Sequence, residues 1–443
     1  MSFPPYPKYK DSGVEWLGQV PEHWDLKRLK FISRVPIQNG IGAASDTDNP
    51  EFPRYIRITD IKSSRELHTD TFRSLPIELA LTAGFSVGDI LFACVGATFG
   101  KSYLHCVEVG PVCYAGYLAR FSPNTTIDPR FISYWSESRH YWAQLNANVI
   151  QSTVQNFSAS KYRELGLPIP AYIEQTAIAE FLDRETAKID GLVSEQQRLI
   201  ELLKEKRQAV ISHAVTKGLN LNAPLKPSGI EWLGDVPAHW AVVALKHLVS
   251  TPIIDGPHES PANCDEGIPF VSAESVSKGF VDFEKIWGYI SPDDHALYSK
   301  RFLPKRGDIL MVKLGATTGV SAIVETDRAF NIWVPLAAIR LKPEIEPRFI
   351  LHVLRSDNLL RAYENSWTYG TQQTLGLKTI SNLRIPLPPE AERREIAKYI
   401  DSIVPAFELL TAEALRAIDL LQERRTALIS AAVTGQIDVR QVA

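Results

Sequence analysis

Four cysteines in 443 residues are too few and too scattered for a disulfide framework. Cys94, Cys106 and Cys113 fall in the first half and Cys264 in the second, without CxxC spacing. They read as reduced thiols packed as small apolar residues, not as metal ligands. No apolar run approaches the roughly 18 residues needed to span a bilayer. The opening from Met1 to Pro5 is polar and proline-rich, unlike a secretory signal, so a soluble cytoplasmic protein is expected. A positive charge excess is also missing: 48 Lys and Arg face 51 Asp and Glu, for a net −3. That excludes a protein that coats nucleic acid by neutralising phosphates alone, though not one with local basic faces.

Catalytic motifs are lacking as well. Gly96-Ala97-Thr98-Phe99-Gly100-Lys101-Ser102 has three residues between its glycines where a phosphate-binding loop needs four. A similar stretch, Gly315-Ala316-Thr317-Thr318-Gly319, is followed by Val320 and has no lysine. A Gly-rich turn that lets backbone approach a sugar-phosphate and a plain tight turn are equal readings of it. Asp60-Ile61-Lys62 fits the end of a common nuclease motif, but no second carboxylate accompanies it. GxGxxG, Asn-Pro-Pro-aromatic and His-Glu-x-x-His are all absent. His23 and His239, beside Trp24 and Trp240, read as structural; Trp16 and Trp232 read as core or docking residues.

What is present is a duplication with a period of about 218 residues. Ser12-Gly13-Val14-Glu15-Trp16-Leu17-Gly18-Gln19-Val20-Pro21-Glu22-His23-Trp24 returns from Ser228 to Trp240 with ten of thirteen positions identical. Gly88-Asp89-Ile90-Leu91 returns at Gly307, Pro129-Arg130-Phe131-Ile132 at Pro347, and Ala209-Val210-Ile211-Ser212 as Ala427-Leu428-Ile429-Ser430. Between these islands residues 33–80 and 250–300 share almost nothing. A scaffold kept twice around two divergent surfaces is what a duplicated recognition module looks like, with drift of loops as the alternative.

Within one repeat, Tyr55–Ile61, Ile90–Val95, Val112–Phe121 and Leu165–Ile169 read as strands bounded by turn residues. Residues 129–144 read as one helix opened by a proline. Proline pairs at 168/170 and 386/388 then lead into long helical patterns. Leu182, Ile189, Gln196, Leu203 and Val210 recur every seven residues, with Leu192 and Leu199 as companions. Ile400, Phe407, Ala414, Leu421 and Leu428 do the same, with Ile403 and Leu410. Such a seam wants another helix. A helix over residues 172–216 would be roughly 65 Å long, and the expectation is that the two pack on each other as a spacer. Pro405 should kink or delay the second.

The fold class is therefore α+β: two tandem mixed α/β domains separated by two long helices packed as an antiparallel coiled coil. The expected boundaries are 1–168 for the first repeat motif and domain, 169–218 for the central helix, 219–386 for the second motif and domain, and 387–443 for the C-terminal helix. Leu182, Ile189, Leu203, Val210, Ile400, Phe407, Leu421 and Leu428 are the candidate partner-facing and spacer positions.

Neither variable region is strongly basic: residues 25–165 hold 15 Lys and Arg against 13 Asp and Glu, and 241–383 hold 15 against 16. Local clusters remain, around Arg54, Arg57, Lys62 and Arg65, and around Lys300, Arg301, Lys305, Arg306 and Lys313. A solvated charged face is the simpler reading of each. Two polar loops at equal places in the repeat, 151–156 and 370–374, are more suggestive. Gln and Asn can read adenine edges, and Ser and Thr can contact phosphate. For a DNA ligand the candidate contacts are Arg54, Arg57, Lys62, Lys101, Ser152, Thr153, Gln155 and Lys161 in the first repeat. In the second they are Lys313, Thr317, Thr371, Gln372, Gln373 and Lys378. No catalytic or metal residue is assigned.

The tandem Gly-x-Glu-Trp-Leu-Gly-x-Val-Pro-x-His-Trp motif precedes a domain, a Leu-Pro-Ile-Pro-like linker and the helix start Glu174-Gln175-Thr176-Ala177-Ile178-Ala179-Glu180-Phe181-Leu182-Asp183. This arrangement resembles the specificity subunit of type I restriction-modification systems over nearly the whole chain. The second helix start departs from the pattern, with Glu392-Arg393-Arg394-Glu395. The resemblance implies a non-catalytic subunit in which each domain reads half of a bipartite, asymmetric DNA site and the helices set the spacing. It implies as partners double-stranded DNA, two modification subunits that methylate adenine with S-adenosylmethionine, and restriction subunits that use ATP and Mg. Those cofactors belong to the other chains, and none is expected here. A protein-binding scaffold whose coiled coil only dimerises is the rival reading.

Overall fold

The computed structural model describes residues 3–44, 47–96, 98–107, 110–148, 157–364 and 374–440. The chain forms two compact units: Met1–Gln197 with Leu415–Ala443, and Arg198–Ala414. Each long helix is thus divided between them.

In the first unit a four-stranded antiparallel sheet runs Gln38–Asn39, Leu118–Phe121, Ile90–Ala93, Ser102–Leu104. Its central strand shows why an unbroken apolar run folds as a strand here. Ile90 and Phe92 enter one core while Leu91 and Ala93 enter another, the two-residue period of a strand buried on both faces. A parallel pair, Arg54–Ile56 with Val112–Tyr114, lies beyond it. The expected strand Tyr55–Ile61 is interrupted by a 3-10 turn, Ile58–Asp60, because the Asp60 carboxylate accepts from the Arg57 amide and ends the extended run. The expected single helix over 129–144 is two, Pro129–Trp135 and Arg139–Asn148. Asp128 caps the first, and the Ser138 hydroxyl accepts from Tyr141 N to start the second.

The second unit repeats this plan. Its sheet runs Ile254–Asp255, Leu336–Ile339, Ile309–Val312, Ser321–Ile323, with Ile309 and Met311 in one core and Leu310 and Val312 in another. The pair Ile268–Val271 and Asn331–Ile332 is parallel and gains a third strand, Gly288–Ile290.

The long helices are Tyr172–Lys217, of 46 residues, and Glu390–Val433, of 44. Within the first unit they run antiparallel: Ile178 and Leu182 share a core with Ile429, Ala432 and Val433, and further along Arg425 pairs with Asp190 at 3.0 Å. The second unit mirrors this, with Ile396, Ala397 and Ile400 against Ile211, Ala214 and Val215, and Arg207 facing Glu408 at 3.5 Å. The seam differs from the expected one in its companion positions. Leu192, Leu199 and Leu410 are exposed, while Ile200, Ala414 and Ile418 are buried. The companion residue lies four, not three, positions after Ile189, Gln196, Ala414 and their equivalents. Pro405 leaves the helix continuous; its cost is the lost donor to the Asp401 carbonyl. Among the described residues no helix is long and apolar enough to cross a membrane.

Candidate nucleic-acid interface

A repeated lock fixes each domain to the helix that follows it. The Glu174 carboxylate accepts from Trp24 Nε1 at 3.2 Å and meets His23 Nε2 at 2.9 Å. Glu392 does the same for Trp240, at 3.1 Å, and His239, at 2.8 Å. The paired histidines are therefore structural. Further along each helix Asp183 takes Arg130 and the Tyr134 hydroxyl, and Asp401 takes Arg348 and His352. Burial alone would raise the Asp401 carboxyl, but His352 and Arg348 outweigh it and hold it below its ordinary range. The departure at the second helix start keeps an equivalent pair of contacts. Gln175 donates to the carbonyls of Pro170 and Thr126, and Arg393 donates to those of Pro388 and Glu344.

On this frame the Gly-rich segments are hairpin turns. Gly96 and Gly100 have φ of 78° and 80°, and Gly315 and Gly319 have 105° and 95°, conformations that only glycine adopts readily. Each turn leads into a strand, not a helix, so no helix N-terminus awaits a phosphate. The ends of the polar loops are pinned beside these turns: Phe157 N donates to Cys94 O, and Leu375 N to Lys313 O.

The same strand end carries a position that differs between units. Gly40 and Gly256 each lie where a Cβ would stand 2.1 Å from a carbonyl, that of Tyr114 or Ile332. Just before them, Asn39 faces Cys94 through Nδ2 at 3.5 Å, whereas Asp255 faces Lys313 at 3.1 Å. Asp255 also takes Arg301 at 2.7 Å and His258 at 3.2 Å. Burial would raise its carboxyl, yet Lys313 and His258 hold it below the usual aspartate range. Burial pushes the Cys94 thiol up to about 11, so it stays neutral. Beside Asp255 a cavity of about 250 Å³ is lined by Tyr298, Arg301 and Asn331. Asp255, His258 and Asn39 were not singled out by the sequence. The one shared glycine after them is too short a signal in a divergent stretch.

The remaining candidates are placed as follows. Arg54 donates to His68 O and stands over Phe72, and Arg57 is bound to Asp60 and Thr71 O. Lys62 pairs with Glu66 on the surface. Lys101 is exposed and, with Lys62, lines a polar cleft of about 900 Å³ that also includes Ser64, Glu137 and Arg425. Lys161 lies over the Phe157 ring, beside the first polar loop. Thr317 sits within the second Gly-rich turn and Lys378 is exposed just after the second polar loop. Ser152, Thr153, Gln155, Thr371, Gln372 and Gln373 lie outside the described residues. Among the described residues no cluster of His, Cys, Asp and Glu could hold a metal ion.

A family model for the type I restriction modification DNA specificity domain matches residues 21–202 and again 239–418. The chain is 26% identical over 309 residues to the EcoBI specificity subunit of Escherichia coli, covering 67% of this chain and 64% of that one. It is 25% identical over 440 residues to a Methanocaldococcus jannaschii protein named as a candidate MjaX specificity subunit, covering 96% of both. In fold it is similar to a chain from a structure on assembly and conformational transition of the type I R-M system, with TM-score 0.68, 19% identity, and coverage of 94% and 99%. It is also similar to the HsdS subunit from Thermoanaerobacter tengcongensis, with TM-score 0.54, 19% identity, and coverage of 94% and 98%.

Proposed function

The chain belongs to the type I restriction-modification DNA specificity family, and on that premise we propose that it reads a bipartite, asymmetric DNA site, one half with each domain. The observation that carries this reading is the contrast at the strand end. The locks at Glu174 and Glu392 are the same, whereas the face beside the Gly-rich turn is neutral at Asn39 and Cys94 and ionic at Asp255 and Lys313. Two equal mounts with unequal faces suit two different half-sites. Lys101, Lys161, Lys313, Thr317 and Lys378 stand on or beside those faces, so they are the foremost candidates for phosphate and base contacts. Arg54 and Arg57 serve mainly to hold the loop after Ile61.

In this reading the subunit is cytoplasmic and non-catalytic, and its partners are modification and restriction subunits that carry the chemistry. Exposed leucines support docking of two equal partners. Leu192 and Leu410 occupy equal places in the repeat, as do Leu202 and Leu420, and each unit presents one of each pair to solvent. The antiparallel helices serve as the spacer. Inserting four residues near Gln196 should change the gap between half-sites; an unchanged gap would refute that role. The test of the function is methylation sequencing of DNA from cells expressing this chain with its cognate modification subunit. Adenine methylation at two short blocks around a fixed gap supports the reading. A single continuous motif, or no methylation, overturns it in favour of a protein-binding scaffold.

A further inference from the structure

Because the molecule contains one scaffold twice, each unit shows what the other leaves uncovered. In the first unit the helix ends are covered by Phe3 and Pro4 together with residues 437–439. The Phe3 ring stands edge-on to Phe181 with centroids 5.2 Å apart, and Asp438 N donates to Pro4 O at 2.7 Å. Phe3 and Ile437 pack against the main core, and Phe181 and Val439 are 2% and 3% exposed.

The equivalents in the second unit are Tyr399 for Phe181, Leu219 for Ile437, Leu221 for Val439 and Asn220 for Asp438. Here the chain passes from the first long helix into the second repeat, so one segment stands where two segments meet in the first unit. Leu219 takes the place of Ile437 against the core. Among the described residues no aromatic ring stands against Tyr399 as Phe3 stands against Phe181. Tyr399 is 40% exposed and Leu221 is 82% exposed. With Val210, His213, Ala214 and Leu219 they line a largely apolar cleft of about 440 Å³. The Asn220 amide, whose equivalent donates to Pro4 O, makes no hydrogen bond to the described residues.

We propose that this cleft is the docking groove for an extended, proline-flanked aromatic segment of a partner polypeptide, held as Phe3-Pro4-Pro5 is held in the first unit. The aromatic ring packs on Tyr399 and between Val210 and Leu221, and the carbonyl after it accepts from Asn220 N. Flanking prolines keep the segment extended before it binds, so little conformational freedom is lost on docking. Among the described residues the groove is open in the second unit and filled in the first, so one such segment binds per chain, independently of what either domain reads on DNA.

The probe is a fluorescent synthetic peptide with the sequence of positions 2–9, titrated into the full chain and followed by anisotropy. The expected result is saturable binding of one peptide per chain. Leu221→Ser and Tyr399→Ala should each weaken it by about tenfold, the change that one well-packed contact brings. Leu221 is on the surface, so its replacement leaves folding intact. Phe3→Ala in the chain should open the first unit's groove and raise the stoichiometry to two. A peptide with serine in place of its phenylalanine should not bind. Absence of saturable binding, or binding that Leu221→Ser and Tyr399→Ala leave unchanged, overturns the proposal.

Discussion

At the strand end shared by both units, one unit places Asn39 against Cys94 and the other places Asp255 among Lys313, Arg301 and His258. Elsewhere in each unit, the mounts use the same atoms on the same partners. The difference teaches how a duplicated protein divides its labour. The Trp24 and Trp240 indoles that join each domain to its helix are buried with a carboxylate as their acceptor, so loss of that carboxylate strands them. Groups at the strand end bind partners within their own divergent loops, so they can change together. One contact between a domain and a long helix has diverged as well. Glu137 takes Arg425 in the first unit, whereas its equivalent Arg355 turns to the carbonyls of Gly279 and Ser321. There burial pulls the Arg355 guanidinium down to about 10.

Breaking the mounts should have the largest effect. Glu174→Ala strands the Trp24 indole, which is fully buried, and should destabilise the first unit by about 3 kcal/mol. Glu392→Ala, where the carboxylate is part-exposed, should remove roughly half as much from the second unit. Hydrogen exchange resolved along the chain would separate the two units. Equal losses, or losses spread over both units, would contradict the division into separately mounted domains.

The strand ends should respond unequally too. Asp255→Ala leaves Lys313 and Arg301 without their carboxylate and should destabilise the second unit by about 3 kcal/mol. Asn39→Ala removes one weak contact to sulfur and one to a carbonyl, and should cost below about 1 kcal/mol. Denaturant unfolding of the two variants measures the difference, and equal effects would erase the contrast.

The smallest effect is on pH dependence. The Asp255 carboxyl is depressed in the folded state, so its contribution is fully present above the ordinary aspartate range. It is lost as pH falls through the lower folded value. Asp255→Asn should therefore flatten part of the acid limb of the second unit's stability and leave the first unit's unchanged. An unaltered acid limb would show that the ion pairs contribute nothing net.

Much of this plan was legible in the sequence because burial leaves period and identity behind. The Ser12–Trp24 motif, the Ile90 and Ile309 strands and the two helices all repeat where cores demand it. The helix seam was legible only to one residue: a seven-residue period marks Ile189 and Ala414 but does not separate a companion three positions on from one at four. Substitution hid the equivalence of Gln175 and Arg393, since two different side chains reach the same pair of carbonyls. The candidate face was the least legible. Asp255 and Asn39 lie in divergent stretches where only the following glycine is constrained, and charged residues such as Arg57 gave no sign that Asp60 already holds them.

The central claim is that two domains on equal mounts read DNA independently. It is tested most directly by replacing residues 25–165 with the corresponding domain of a relative of different specificity, then sequencing methylated DNA made with the cognate modification subunit. The account predicts that one block of the split motif changes while the other block and the gap stay the same. A change in both blocks would contradict it.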